Sequence, residues 1–157
     1  MNWMILLPEF LVTGLVFLVF TADFFVTRAR KHWLAYAGAI GLLLILAMSV
    51  LNRPEEPQSF GSILRVDQYS YFFQCFFLIL GAVMLIVSQT YVRRHLSFAG
   101  EFYGLILISV LASMLLSAAT ELLTAYISLE LLSFTLYILV AYSRRELRSN
   151  EAGIKYI

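Results

Sequence analysis

The stretch LLTAYISLELLSFTLYILVAY, residues 122–142, decides the fold. It is twenty-one residues long, apolar almost throughout, and closed by the charged run Ser143-Arg144-Arg145. About twenty apolar residues are needed for a helix to cross a hydrocarbon core of ~30 Å. One acid interrupts it. Glu130 lies about twelve residues from the closing charges, which at ~1.5 Å per residue puts its carboxyl roughly 18 Å from that face. A charge at such depth costs on the order of 2.5–3.5 kcal/mol even on a lenient insertion scale, so a carboxyl retained there points to use.

The rest of the chain reads the same way. Hydrophobic residues are 61% of the 157 residues and charged residues 13%, with mean hydropathy +0.85. A soluble domain carries about 25% charged residues. The net charge of +1 gives no electrostatic bias towards nucleic acid. Cys75 is the single cysteine, which excludes an intrachain disulfide and a cysteine metal cluster, and reads as a small packed residue. The N-terminal apolar run lacks a basic leader and a small-residue cleavage site, and reads as a retained helix.

Five apolar segments of spanning length follow one another: Trp3–Val26, Trp33–Leu51, Tyr69–Tyr91, Phe102–Thr120 and Leu122–Tyr142. A sixth helix is expected from Ser149, whose hydroxyl would cap it with Glu151 in the first turn. The chain stops at Ile157, short of a full span, as a chain cut inside an element would. The expected fold is an all-α membrane protein with five transmembrane helices and the start of a sixth. Alternate loops hold Arg28, Arg30 and Lys31; Arg93 and Arg94; and Arg144, Arg145 and Arg148, against Arg53 and Arg65 on the other side. Eight basic residues against two put the N-terminus outside. The Asn52–Val66 segment, with Pro54, Pro57 and Gly61, reads as an external connection.

On a helix, Tyr126, Glu130, Ser133 and Tyr137 share one face. Serine and tyrosine alone would serve as helix–helix glue; the glutamate favours a proton relay or ion coupling. Lys155 is the second intramembrane charge. It follows Glu130 across a short loop, so their helices should be neighbours, some 9 Å apart in depth by helix rise. Spacing alone leaves two readings, a lysine snorkelling from a helix end or the partner of Glu130. The other charges read as structural. Glu9 follows Pro8 at a helix start, and Asp67 is an N-cap. Asp23 can reach Arg28 or water. Glu101 opens the fourth helix, and Glu121 sits in the outer turn. His32 and His95 lie in basic loops. No Gly-rich phosphate loop, haem-type histidine pair or nucleophile–base set is present in the sequence, so the chemistry expected of the chain is charge movement.

These residues resemble a known family. Gly100-Glu101-Phe102-Tyr103, the run from Thr124 to Ser133, Tyr137–Tyr142 and Ser149–Tyr156 look like the antiporter-like membrane subunits of respiratory complex I, the proton-translocating NADH:quinone oxidoreductase. Leu7-Pro8-Glu9 and Val66–Phe73 favour the N type. The resemblance implies that Glu130 matches the family's essential glutamate on helix five and Lys155 its lysine on helix six, both serving proton transfer. It implies a division into 1–98, three helices outside the inverted repeats, and 99–157, the truncated start of the first repeat. NADH, flavin, iron–sulfur clusters and quinone are then expected in other subunits, with no cofactor or metal held by this chain. The implied partners are the other membrane subunits, the lipid bilayer and the remainder of the same subunit. The implied location is the bacterial inner membrane or an equivalent energy-transducing membrane. Family members have more than a dozen helices and further buried lysines, which this chain lacks. A subunit of a multi-subunit cation/proton antiporter or membrane hydrogenase shares the Glu–Lys motif, and a fragment with only an assembly role is the third reading.

Overall fold

The computed structural model describes residues 6–26, 31–52, 57–96, 98–143 and 147–156. In chain order they form α1 (Leu7–Phe25), α2 (His32–Leu51), β1 (Gln58–Phe60), β2 (Leu64–Val66), α3 (Gln68–His95), α4 (Ala99–Ala118), α5 (Leu122–Val140) and α6 (Leu147–Tyr156). The first five helices are each long and apolar enough to cross a membrane. The all-helical, five-span reading therefore holds. The expected bounds shift: α3 runs past both ends of Tyr69–Tyr91, α4 runs from Ala99 to Ala118, α5 stops at Val140, and α6 starts at Leu147. Ser149 is consequently inside α6, and its hydroxyl donates to the Val140 carbonyl at 2.9 Å instead of capping.

Helix α4 is the centre. It packs on α1, α2, α3 and α5. Tyr103, Leu107, Val110 and Met114 join Val12, Val16 and Val19 of α1, Leu42 of α2 and Leu78 and Leu85 of α3 in one core. Small residues set how closely the helices approach. A side chain added at Gly104 would come within 2.5 Å of the Phe20 ring, and one at Gly81 would overlap Val110. Close backbone approach at small residues is how helices associate in lipid, where burial of apolar area gives little drive. The outward faces carry Phe10, Phe17 and Phe24 of α1 and Phe72 and Phe76 of α3.

The segment expected as a plain external loop holds a short antiparallel hairpin. Gln58 pairs with Val66, Ser59 with Arg65 and Phe60 with Leu64, and Gly61 turns it at φ 61°, which a residue without Cβ adopts freely. Leu64 and Val66 are buried while Arg65 between them is exposed, the alternation of a half-buried strand. The hairpin is tied to the α4–α5 turn. The Thr120 amide donates to the Ile63 carbonyl at 3.1 Å, and the Thr120 hydroxyl donates to the Ser62 carbonyl at 2.6 Å. The Ser70 hydroxyl reaches the Arg65 and Ser117 carbonyls at 3.2 and 2.8 Å.

The opposite end gathers the connections that the sequence marks as basic. Asp23, near the end of α1, packs on Gly100 at the start of α4. Its Oδ1 lies 2.7 Å from Lys31 Nζ at the start of α2. Arg28, the partner expected for it, lies outside the described residues. The Tyr142 hydroxyl, beyond α5, donates to the Phe98 carbonyl at 2.7 Å and to Glu101 Oε2 at 3.2 Å. Cysteines placed at Ser59 and Ser143 should therefore be labelled by an impermeant reagent from opposite sides of the membrane. Labelling of both from one side contradicts the alternation.

Asp67 caps α3 as expected, its Oδ1 accepting from the Ser70 amide at 2.9 Å. That bond, first among the causes, holds the carboxyl below its ordinary value, with a smaller contribution from Arg65. The sign follows directly: the cap's contribution is complete above the unfolded-state value and is lost as pH falls through the lowered one. Asp67→Ala should cost about 1 kcal/mol. In thermal unfolding of the chain in bilayers, acidification should destabilise wild type relative to Asp67→Asn, which keeps an acceptor but does not titrate there.

Candidate proton-transfer site

Helix α5 has two unlike sides. Ser128 and Thr135 are its buried residues. Each hydroxyl turns back on its own helix, to the Thr124 carbonyl at 2.8 Å and the Leu131 carbonyl at 2.7 Å. Such bonds let a polar side chain enter an apolar interface without an orphan group. At about 100° per residue, Glu130 is nearly opposite Ser128, and Tyr126, Ser133 and Tyr137 fall beside it. The polar stripe read from the sequence is thus one face, and it points away from the α1–α4 bundle. Glu130 is half-buried, while Tyr126 is 59% exposed. Tyr126 stands one turn before Glu130 on the same helix face.

Helix α6 covers the C-terminal end of this face. The Tyr137 and Tyr156 rings meet edge to face, centroids 5.3 Å apart. A side chain at Gly153 would approach Ala141 Cβ within 2.7 Å, so its absence lets α6 lie on the end of α5. The expected adjacency of the fifth and sixth helices is therefore present. Of the two readings left open for Lys155, the structure shows neither a Glu130 pair nor a lysine without a partner. Lys155 is exposed, and its Nζ sits 2.6 Å from Glu151 Oε1, one turn back on α6. An i, i+4 pair on one helix needs no reach across a gap. Tyr137, beside the end of α6, is seven residues from Glu130, about 10 Å along the helix.

The remaining charged candidates separate clearly. Glu101 receives the Tyr142 hydroxyl, and Glu121 occupies the N-cap position of α5 without a side-chain cap bond. His32 stacks obliquely on Trp33, 5.8 Å between centroids. The His95 side chain lies outside those described. Glu9 stands in the first turn of α1 after Pro8, as expected, and is buried there as well. It is 5% exposed, and Gln74 of α3, itself 2% exposed, donates to its Oε1 at 2.6 Å. Sequence reasoning stopped at its place beside Pro8; the missed signal was Gln74, an amide set in the apolar run Phe72–Met84.

Fold and site together define an integral, all-helical membrane protein with a carboxyl at mid-span depth. Residues 119–157, which include Glu130 and Lys155, match the transmembrane family described as NADH:quinone oxidoreductase/Mrp antiporter. Relatives align along nearly the whole chain. NADH-quinone oxidoreductase subunit N of Dehalococcoides mccartyi is 33% identical over 152 residues, covering 96% of this chain and 31% of that protein. Subunit N of Trichlorobacter lovleyi is 32% identical over 155 residues, covering 99% of this chain and 32% of that protein. The chloroplastic NAD(P)H-quinone oxidoreductase subunit 2 of Chlorokybus atmophyticus is 35% identical over 160 residues, covering 100% of this chain and 31% of that protein. The chain is similar to these N-type membrane subunits along nearly its whole length, and spans about a third of the length of the curated relatives it matches.

Proposed function

We propose that the chain is part of a proton-translocating membrane subunit of an NADH:quinone oxidoreductase. In this reading Glu130 takes up and releases protons while electrons pass from NADH to quinone on other subunits, which hold the flavin, iron–sulfur clusters and quinone. The observation that carries it is the stripe on α5. A mid-span carboxyl, with Tyr126 beside it on the stripe, faces away from the chain's own bundle, inside the segment that matches the antiporter family. Exposure of that face to lipid would be costly. Its cover is then the remainder of the same subunit or neighbouring membrane subunits. Residues 99–157 are the opening helices of an antiporter-like repeat, and 1–98 precede it. The N-terminus lies outside, on the eight-to-two basic asymmetry. The membrane is the bacterial inner membrane or its energy-transducing equivalent.

The chemistry is electrostatic. An ammonium brought towards Glu130 favours the carboxylate and proton release; its withdrawal favours the neutral acid and uptake. Lys155 is the candidate cation. Its pairing with Glu151 corresponds to the withdrawn arrangement, and a rotamer change or movement of α6 would bring it along the stripe past Tyr137. No covalent step is required. The relatives that align along nearly the whole of this chain bear oxidoreductase names, which favours this reading over a cation/proton antiporter subunit.

Glu130→Gln keeps size and hydrogen bonding but does not titrate. Proton uptake by inverted vesicles during NADH oxidation should fall to a small fraction of wild type, with complex content unchanged on native gels. Lys155→Met should lower it less, since water can replace a lysine nearer the surface. Normal pumping by a fully assembled Glu130→Gln complex overturns the reading.

A further inference from the structure

The Glu9–Gln74 pair lies at the end of the bundle opposite the basic connections. Glu9 is in the first turn of α1, and Gln74 is about 9 Å into α3 from Gln68. Helix α1 packs chiefly on α4 and α2, so this hydrogen bond is a polar tie from α1 to a helix it barely touches. One carboxyl oxygen accepts the amide at 2.6 Å. The other, Oε2, is fully buried with no partner.

Among the described residues Glu9 has no ion-pair partner. Among the described residues, the charged or titratable side chains at this end include Arg65, Asp67, Tyr69, Tyr71, Cys75 and Glu121. Arg65 acts on Asp67, which caps α3. The Tyr71 hydroxyl reaches the Ser49 carbonyl of α2 at 3.4 Å. On α4, Ser113 and Ser117 donate to the carbonyls of Ser109 and Met114, and Asn52 at the end of α2 donates to Met48. The Ser113 and Ser117 hydroxyls are thus engaged within their own helix. On its own helix, Thr13 donates to the Glu9 carbonyl oxygen, not to its carboxylate.

A buried carboxylate in this setting would hold a full charge with one oxygen wholly unsolvated, among the most expensive arrangements a protein interior offers. A proton on Oε2 removes the charge and leaves the amide bond to Oε1 intact. A metal cation fits poorly, because hard cations need several oxygen ligands and here an amide N–H points at the carboxyl. We propose that Glu9 is a second proton-binding site, separate from Glu130: a neutral carboxylic acid clasped between α1 and α3, with Gln74 as its positioning donor. Release of that proton would require water to enter between α1 and α3, so occupancy and closure of this end are linked. The proposal does not depend on the role of Glu130.

Infrared spectroscopy of the full chain in phospholipid bilayers at neutral pH tests it. The wild-type minus Glu9→Gln difference should show loss of a protonated carboxylic-acid carbonyl band that shifts in D2O. Gln74→Leu, which leaves Glu9 in place, should move that band to higher frequency, because the carbonyl loses its donor. Glutamine mimics the neutral acid, so Glu9→Gln should melt at or above the wild-type temperature. Loss of carboxylate stretches in place of the acid band overturns the proposal, as does a Glu9→Gln chain that unfolds more readily than wild type at neutral pH.

Discussion

The close approach of α4 to its neighbours is the constraint on which the other features hang. In lipid, helices gain little by hiding apolar surface from one another, so association depends on contact distance and shape. Gly81 admits Val110, Gly104 admits the Phe20 ring, and Gly100 admits the Asp23 side chain. These three contacts draw α3 and α1 onto α4 at different depths. Ten residues of α4 are buried as a result. Helix α5 is left to lean on the last open side through Ser128 and Thr135, and its far side is turned outward. The direction in which Glu130 points is thus a consequence of how α4 is surrounded.

The bundle treats its polar groups in two ways. Ser109, Ser113, Ser117, Ser128 and Thr135 donate to carbonyls within their own helices, which satisfies each hydroxyl where it stands. The carboxyls of Glu9 and Glu130 have no such local outlet. Glu9 is enclosed with one amide donor. Glu130 keeps Tyr126 as its companion on an open face. The ends of the bundle are secured separately, by the hairpin bonded to Thr120 at one and by the Asp23–Lys31 and Tyr142–Phe98 contacts at the other. Placement of α5 therefore rests on fixed points above and below Glu130.

The spans were legible because length and hydropathy are all that a spanning helix requires. The face shared by Tyr126, Glu130, Ser133 and Tyr137 was legible from helical spacing, and so was the Asp67 cap. The hairpin was not, because three-residue strands carry too little alternation to show; only Gly61 hinted at a turn. Glu9 was read as a dipole-compensating acid since Pro8-Glu9 looks the same whether the acid faces headgroups or a neighbouring helix. Lys155 had two candidate partners at readable spacing. Glu151, four residues back, won by proximity on the same helix, whereas Glu130 required a tertiary distance that spacing cannot supply. Asp23 found Lys31 across a connection for the same reason.

The central claim is that the Glu130 face is covered by further protein and does not meet lipid. A spin label at Ser133, in the assembled complex, reports this most directly through its collision rate with oxygen dissolved in the bilayer. A label at Phe17, which is 68% exposed on the outer side of α1, supplies the lipid-facing reference. Markedly slower oxygen relaxation at Ser133 than at Phe17 is expected. Equal rates at the two positions would place the Glu130 stripe against lipid and contradict the account.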